Sequence, residues 1–364
     1  MSPIYFNIDL VGSCNLRCPS CPIGNSPGKL EHGQMSSDLL RSILAKAVSE
    51  CRVSSVGLFN WTEPFIHPRL AEMIGVVNSF GLPCSLSSNL NLLRNVDEVL
   101  LANPHYLRIS VSGFTQDTYG RTHAGGNIER VKDNMRTLSE AKARTGSKTA
   151  IQVVFHRYKD NQADELAMRR YARSLGFTFR PTWAYLMPVE KALSVVGADS
   201  AELTSQDRGL IDLLAYPLAD AIAECGRGKN APCSLQEEHI TIDCFGRVQL
   251  CCAVYDPDRF TIGSYLETPF AELQRRKFNH DFCATCTSKG AHVYVTDATE
   301  MIATMAEHSI GPEKAKALGL PGERRRHRLQ KTAFNLFNRT LRPLMSAKQV
   351  ATLENMLRSI GIPV

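Results

Sequence analysis

The sequence predicts an α/β fold in which six strands alternate with five helices and curve into a partial (β/α)6 barrel. Strand-like and helix-like segments follow one another through the first half of the 364-residue chain, which indicates a parallel sheet built from βα units. Strand–helix–strand connections of this kind are right-handed. Six such units can curve a sheet but fall short of the eight that close a barrel.

Each predicted element follows from its own local pattern. The first strand alternates polar and apolar side chains and runs directly into Cys14. The first helix begins at a cap around Ser36 and continues with apolar residues at helical spacing from Leu39 to Ala47. The predicted strands are 5–11, 53–60, 83–88, 106–112, 150–156 and 177–184, and the later helices are 70–80, 96–102, 127–145 and 164–175.

The second half of the chain reads as a helix, a cysteine-rich segment and a helical tail. A helix is expected at 201–224, with its cap at 204–207. A hairpin is expected from strands at 239–243 and 248–254 around a turn at 245–247. The predicted domains are a barrel (1–205), a small cysteine-rich domain (206–296) and a helical C-terminal extension (297–364).

Composition and charge exclude several classes of protein. Hydrophobic residues make up 43% of the chain and charged residues 21%, which is ordinary for a globular protein and excludes a disordered or collagen-like chain. No run of 18 apolar residues predicts a transmembrane span, and the N-terminus does not have the pattern of a signal peptide, so we expect a cytoplasmic protein. The formal net charge is +6, but the segment 321–364 alone contributes nine Lys/Arg against two Asp/Glu. This uneven distribution argues against nucleic-acid binding by the whole chain.

Twelve cysteines are many for a chain expected in a reducing compartment, where metal ligation or redox chemistry is more usual than disulfides. Three of them lie between residues 14 and 21, and seven lie between 225 and 286. The 140 residues between Cys84 and Cys225 contain no cysteine, so the sequence predicts two metal-binding regions separated by this cysteine-free stretch. Cys51 and Cys84, which lie outside both regions, are expected to be small core residues.

The first region is a Cys-x3-Cys-x2-Cys motif formed by Cys14, Cys18 and Cys21, in the loop after the first strand. Three thiolates on one loop can bind one face of a metal or cluster and leave a fourth position open. Three unrelated cysteines, or part of a structural zinc site, are the alternatives. The motif resembles the signature of the radical S-adenosylmethionine (radical SAM) superfamily, and the resemblance extends over roughly residues 5–290.

The resemblance implies that these three cysteines ligate a [4Fe–4S] cluster whose fourth iron binds S-adenosylmethionine (SAM). One electron, supplied by an external flavodoxin- or ferredoxin-like reductant, would then yield a 5′-deoxyadenosyl radical. Family members often carry an aromatic residue before the third cysteine, where it packs near the adenine. This chain has Ser20 there, so the adenine contact must come from another residue.

Polar residues near the ends of the predicted strands are candidates for binding SAM or substrate, because ligands of parallel α/β folds bind at the carboxyl ends of the strands. The segment 59–64 resembles the family's Gly-Gly-Glu-Pro motif, with only Glu63 and Pro64 matching literally, and Glu63 would meet the SAM amino group. The predicted SAM-binding residues are Glu63, Asn60, Asn89, Ser110 and Ser112. Turn capping by Ser and Asn, or an exposed loop glutamate, is the alternative.

The second cysteine region resembles the SPASM and twitch extensions of radical SAM enzymes. Because no cysteine follows Cys286, the count favours the shorter twitch form, with one auxiliary [4Fe–4S] cluster held by Cys233, Cys251, Cys283 and Cys286. A four-cysteine zinc site is the alternative. Since neighbours on a strand face opposite sides, only one of the pair at 251 and 252 can readily be a ligand, and Cys252 or Cys244 could replace Cys251.

The resemblance favours dehydrogenation of a small sugar, aminocyclitol or other polyol, with the auxiliary cluster accepting an electron. Epimerisation is the variant in which a free thiol returns a hydrogen atom, and the candidates for it are Cys252, Cys244 and Cys225. His156, at the end of the fifth strand, is a candidate for substrate contact or for a hydrogen-bonded structural histidine.

Three further expectations concern the substrate, the class of protein and the basic tail. The first strand starts within five residues of Met1, so no N-terminal leader-binding domain is expected, which makes a peptide or protein substrate the second choice. A non-enzymatic protein with two zinc sites is an alternative of another class. The basic tail, which opens at 324–328, is expected to pack on the barrel or to bind an anionic partner.

Overall fold

The computed structural model describes residues 2–198, 202–317 and 319–320. The chain divides into two compact units, the first ending at Asp297 and the second beginning at Ala298. None of the helices in the described ranges combines the length and the apolar character that a membrane span requires.

The first unit is built on one nine-stranded sheet with the order β6-β5-β4-β3-β2-β1-β7-β8-β9. Strands β1 to β6 pair in parallel, β7 pairs in parallel with β1, and β8 and β9 add antiparallel to that edge. The strands are β1 (Ile4–Ile8), β2 (Val53–Gly57), β3 (Cys84–Ser88), β4 (Tyr106–Val111), β5 (Ala150–Arg157), β6 (Thr178–Trp183), β7 (His239–Ile242), β8 (Arg247–Gln249) and β9 (Thr261–Ser264).

Helices connect the six barrel strands and continue around the cysteine-rich segment. Those of the barrel half are α1 (Pro22–Asn25), α2 (Ser37–Glu50), α3 (Leu70–Ser79), α4 (Val96–Leu101), α5 (Gln116–Thr122), α6 (Ile128–Thr145), α7 (Gln162–Ser174) and α8 (Val189–Gly197). Those that follow in the first unit are α9 (Ser205–Leu213), α10 (Leu218–Cys225), α11 (Ser234–Glu238), α12 (Pro257–Phe260), α13 (Phe270–Phe278), α14 (Asp281–Ser288) and α15 (Ala291–Thr296).

The two faces of the sheet differ in polarity because successive strand side chains point to opposite sides. On β4, Leu107, Ile109 and Val111 are fully buried, whereas the alternate positions Arg108 and Ser110 are partly exposed. The predicted amphipathic helices supply matching apolar side chains to the core, among them Leu40, Ile43, Leu44, Met135 and Leu138. The opposite face of the sheet is therefore free to carry polar groups.

The helix expected at 201–224 is divided in the structure. Its predicted cap is confirmed, because Thr204 and Asp207 form a reciprocal capping box at the start of α9. Helix α9 ends at Leu213, and a second helix, α10, starts after Pro217. Proline has no backbone N–H to donate, so it interrupts the hydrogen bonds of a continuous helix. Helix α8 was not predicted.

The predicted hairpin is confirmed as β7 and β8, although its second strand is shorter than expected and starts at Arg247. Gly246 lies in the turn with a φ of +82°, a conformation that favours glycine. Strand β7 continues the barrel sheet, since Tyr5 to Ile8 pair with His239 to Ile242. The cysteine-rich segment is thus hydrogen-bonded to the first barrel strand.

The described part of the second unit contains two helices, α16 (Thr299–Ile310) and α17 (Pro312–Ala317). This agrees with the helical character expected after residue 297. The basic cluster at 324–328 and the rest of the predicted tail lie outside the described residues.

Candidate active site

A carboxylate just past β1 organises the candidate site. Asp9 is buried and accepts hydrogen bonds from the backbone N–H groups of Asn60 (2.8 Å), Trp61 (3.2 Å) and Thr62 (3.1 Å), and from the Thr62 hydroxyl. Burial raises the pKa of Asp9, while these hydrogen bonds oppose the rise. The predicted site residue Asn60 contacts this carboxylate through its backbone. Asp9 thereby fixes the loop that carries Glu63.

Glu63 joins the ends of β2 and β3. Its Oε1 accepts hydrogen bonds from the Ser88 hydroxyl (2.8 Å) and the Phe65 N–H (3.2 Å), and its Oε2 accepts one from the Asn89 N–H (2.9 Å). Burial raises the pKa of Glu63 to about 7 despite these hydrogen bonds. Two carboxylate oxygens offer about four acceptor sites, so Oε2 has room for another donor. An ammonium group beside Glu63 would stabilise its charged form.

The three N-terminal cysteines lie in the adjacent loop, with their thiols as free cysteines. Burial raises the pKa of Cys14 to about 11 and that of Cys21 to about 12, and it raises the pKa of Cys18 strongly. Buried thiols become thiolates when a metal centre compensates their charge. The Glu63 N–H donates to the carbonyl oxygen of Ser13 at 3.2 Å, so the loop presents three metal-type donors beside Glu63, a donor set that fits a cluster with one open position.

Asn89 connects the β3 end to this loop. Its Nδ2 donates to Asn15 Oδ1 at 2.8 Å and lies 3.8 Å from the sulfur of Cys14, within the distance of a weak N–H···S hydrogen bond. The structure therefore brings Asn89, Glu63 and the first cysteine together.

An aromatic side chain approaches the position before the third cysteine. The hydroxyl groups of Ser20 and Tyr158 are 2.5 Å apart, and Tyr158 follows β5 directly. Burial raises the pKa of Tyr158, and the charges of Cys18 and Cys21 raise it further. Sequence reasoning missed Tyr158, because a residue 138 positions away from Ser20 gives no local signal.

Ser112 is fully buried, and its hydroxyl contacts other side chains of the protein. It hydrogen-bonds the hydroxyl of Thr122 and lies 2.7 Å from His123 Nδ1, while its carbonyl accepts from Asn161 Nδ2 at 2.7 Å. Burial lowers the pKa of His123 to about 3. A direct contact of Ser112 with SAM stays a prediction, and the observed contacts give this residue a structural role.

The inner face of the sheet carries a connected polar group. Arg108 Nε donates to the Ser87 hydroxyl at 2.9 Å, and Ser87 Oγ is 3.5 Å from that of Ser110. Burial, followed by the charge of Arg108, lowers the pKa of His156 to about 4, so its imidazole is neutral at pH 7. The structure thus places the predicted residues Ser110 and His156 in one polar group with Arg108.

The four predicted ligands of the second centre line a single cavity. They come from three places: Cys233 at the start of α11, Cys251 after β8, and the pair Cys283 and Cys286 on α14. The charges of Cys233 and Cys251 contribute to raised pKa values of both helix α14 thiols, behind the larger effect of burial. The donor set therefore fits a thiolate-ligated centre.

The neighbouring residues Cys251 and Cys252 differ in their position relative to the cavity. Cys251 lines the cavity, and its pKa is lowered by a hydrogen bond with Cys252, whose own pKa is raised. Cys252 does not line the cavity, although it is close enough to Tyr5 and to Lys277 to influence the pKa values of both. Cys244 is buried after β7, close enough to Asp9 and Asp243 for their charges to raise its pKa beyond the effect of burial. These contacts favour Cys251 as the ligand.

The segment 251–256 connects the two cysteine regions. Trp61, in the loop held by Asp9, donates its indole N–H to the carbonyl oxygen of Val254 at 3.0 Å. Lys29, from the loop after the triplet, forms an ion pair with Asp256 at 3.1 Å. In the described ranges, no three His, Cys, Asp or Glu side chains converge closely enough to hold a single metal ion, so the fit of each cysteine site to a cluster rests on its donor types and their placement around one loop or cavity.

The chain is similar in sequence to one curated protein over part of its length. No family model matches the chain. Over 181 residues it is 28% identical to the tungsten-containing aldehyde ferredoxin oxidoreductase cofactor-modifying protein of Pyrococcus furiosus, a match that covers 47% of this chain. The match covers 49% of that protein, so the chain spans about half the length of this curated relative.

Two groups of solved structures share the architecture. Streptococcus suis SuiB bound to S-adenosylmethionine matches with a TM-score of 0.53 and 12% identity, over 79% of this chain and 68% of SuiB. A complex of anSMEcpe with bound AdoMet matches with a TM-score of 0.51 and 16% identity, over 77% of this chain and 82% of that protein. SuiB bound to the precursor peptide SuiA matches with a TM-score of 0.52 and 10% identity, over 79% of this chain and 67% of SuiB.

These neighbours are radical SAM enzymes, and the chain has their fold. The predicted α/β class with a parallel sheet is therefore confirmed, and the resemblance drawn from Cys14, Cys18 and Cys21 is confirmed at the level of the fold.

Proposed function

We propose that the protein is a radical SAM oxidoreductase that dehydrogenates a small sugar, aminocyclitol or other polyol, with epimerisation as the variant outcome. The observation that carries the proposal is the presence of two cysteine sites: a triplet beside Glu63 and a cavity lined by four further cysteines. The first suits a cluster with an open position, and the second suits a fully ligated electron acceptor.

The chain's own residues have separate tasks in this proposal. Cys14, Cys18 and Cys21 would hold the first cluster, and Glu63 would accept a hydrogen bond from the SAM ammonium group at its remaining lone pair. Asp9 keeps the Glu63 loop in place through its three backbone hydrogen bonds. When bound, SAM and the two clusters supply a hydrogen-abstracting radical and an electron acceptor, so that the substrate loses a hydrogen atom, a proton and an electron.

Substrate binding is assigned to the polar inner face of the sheet. Hydroxyl groups of Ser87 and Ser110 and the guanidinium of Arg108 can each hydrogen-bond a polyhydroxylated molecule. His156 is neutral at pH 7, so its imidazole can hydrogen-bond a hydroxyl group of the substrate. A cofactor precursor is another polar small molecule that would suit this face, in line with the name of the P. furiosus relative.

A peptide substrate is the second candidate, favoured by one observation. SuiB has been solved with the precursor peptide SuiA on a similar fold. In this case the same cysteine sites would serve, and the inner face would bind one side chain of the peptide.

The test is anaerobic reconstitution followed by iron analysis and incubation with SAM and dithionite. We expect about eight irons per chain, falling to about four when Cys14, Cys18 and Cys21 are all replaced by alanine. 5′-Deoxyadenosine should form with the wild-type protein and be absent with this variant, while a Cys51→Ala control should behave like the wild type. Zinc without iron, together with no SAM cleavage, would establish the alternative of a two-site zinc protein.

The substrate class is then decided by stimulation and isotope transfer. C-deuterated polyols and peptides are supplied in turn, and deuterium in 5′-deoxyadenosine is measured by mass spectrometry. Transfer from a polyol supports the main proposal, whereas transfer from peptides alone moves the proposal to a peptide maturase.

A further inference from the structure

Lys277 is a buried lysine beside the four-cysteine cavity. It lies near the end of α13 and is only 1% exposed, although its neighbours Arg275 and Arg276 reach solvent. Its ammonium donates to the carbonyl oxygens of Leu235 at 3.0 Å and His239 at 2.6 Å. An ammonium carries three hydrogens, so one remains for another acceptor.

The surroundings of Lys277 belong to the cavity. Leu235 and Gln236 both line it, and Gln236 Nε2 donates to the Lys277 carbonyl at 3.2 Å. Both residues lie on α11, the short helix that starts at Cys233. Helix α11 therefore ties the lysine to one of the predicted ligands.

Cysteines near the cavity influence the pKa of Lys277. Burial lowers its pKa, and the charges of four cysteines oppose this effect, namely Cys251, Cys252, Cys283 and Cys233. Within the described residues, the two carbonyl oxygens are its recorded hydrogen-bond partners, and neither carries a formal charge. A buried charge is costly unless a counter-charge compensates it, so an anionic centre in the cavity is the matching partner.

We propose that Lys277 is a positioning residue of the four-cysteine centre, whose ammonium balances the thiolate charge and raises the reduction potential of the cluster held there. This inference rests on the proposed function. A cluster ligated by four thiolates is anionic, and reduction adds one further electron without making or breaking a bond. A fixed positive charge nearby stabilises the reduced form more than the oxidised form, because the electrostatic attraction grows with the negative charge.

The test is a spectroelectrochemical titration of the reconstituted protein, followed by EPR, with dithionite as the electron donor. Lys277→Met removes the charge with little change in length, and Lys277→Gln keeps a hydrogen-bond donor. Lys289→Met is the matched control, because it removes the same charge from an exposed position after α14. In both Lys277 variants we expect a more negative potential for the auxiliary cluster and an unchanged potential for the SAM cluster, and Lys289→Met should shift neither.

The outcomes separate this inference from the proposed function. If the wild type contains about four irons and one cluster signal, the auxiliary cluster is absent and the proposed function itself fails. If the wild type has two clusters but the Lys277 variants keep the wild-type potential, only the role of Lys277 is overturned. Loss of both clusters from Lys277→Gln would also overturn it, because the residue would then support the fold and not one centre.

Discussion

The indole N–H of Trp61 donates a hydrogen bond to the carbonyl oxygen of Val254 at 3.0 Å, across 193 positions of sequence. Trp61 belongs to the loop that Asp9 holds at the end of β2, and Val254 lines the four-cysteine cavity. The two cysteine regions are therefore joined through one side chain and one backbone carbonyl.

Replacing Trp61 by phenylalanine keeps an aromatic ring and removes this donor. We expect the free energy of unfolding to fall by about 1 kcal/mol, the usual net contribution of one hydrogen bond. Anaerobic urea unfolding of the wild type and Trp61→Phe checks this. An unchanged midpoint would mean that the bond contributes nothing to stability.

Glu63 makes the stability of the ligand-free protein depend on pH. Its pKa is about 7 when folded and near 4.5 when unfolded, so the folded state binds the extra proton between these values. Its stabilising contribution is present below pH 4.5 and is lost as pH rises through 7. Between pH 5.5 and 8 the wild type should lose about 2 kcal/mol more than Glu63→Gln, measured by denaturant unfolding at both pH values. Equal losses in the two proteins would contradict the assignment.

Cys251 and Cys252 should differ in their effect on iron content. Because Cys251 lines the cavity, Cys251→Ala should reduce the iron from about eight to about four per chain, and Cys252→Ala should keep about eight. The reverse pattern would make Cys252 the ligand. Iron analysis and the absorbance near 400 nm are the measurements.

Tyr158 is expected to take the place of the aromatic residue that is absent at Ser20. Tyr158→Leu should weaken SAM binding about tenfold, or ~1.4 kcal/mol, whereas Tyr158→Phe should retain most of the affinity because the ring remains. Anaerobic equilibrium dialysis with reconstituted protein gives the dissociation constants. Equal weakening by both changes would assign the effect to the hydroxyl that contacts Ser20.

The ion pair of Arg157 and Glu165 is buried and bidentate, with N···O distances of 2.7 and 2.9 Å. Glu165→Gln should lower the free energy of unfolding by about 3 kcal/mol, because it neutralises the buried carboxylate that both Arg157 and Arg169 contact. The exposed pair of Arg144 and Asp97 is the control, and Asp97→Asn should have little effect. Thermal unfolding measures the stability of both variants. An equal loss of stability in Glu165→Gln and Asp97→Asn would contradict the argument from burial.

The sequence was sufficient to predict the six barrel strands and most of their helices, because each has a strong local pattern. Leu107, Ile109 and Val111 alternate with polar residues, and the apolar positions of α2 recur at helical spacing. The short helices around the second cysteine site were largely missed. Their positions depend on packing and on Pro217, for which a continuous helical pattern gave the wrong prediction.

The site was predictable only where a residue type carried its own signal. Cysteine spacing pointed to both centres, and Glu63 stood in a short motif. Asp9 and Lys277 gave no such signal, since Asp9 follows an ordinary strand and Lys277 ends a run of basic residues that resembles an exposed helix face. Only the folded chain shows that both are buried and that each faces backbone groups.

The pairing of β7 with β1 limits how the chain could be shortened. In a protein truncated before His239, the edge of β1 from Tyr5 to Ile8 would expose unpaired N–H and C=O groups next to the first cysteine loop. Such an edge is a template for pairing with a second chain, so a shortened barrel would be prone to self-association. Strand β7 thus protects the barrel from aggregation while it carries the chain towards Cys251.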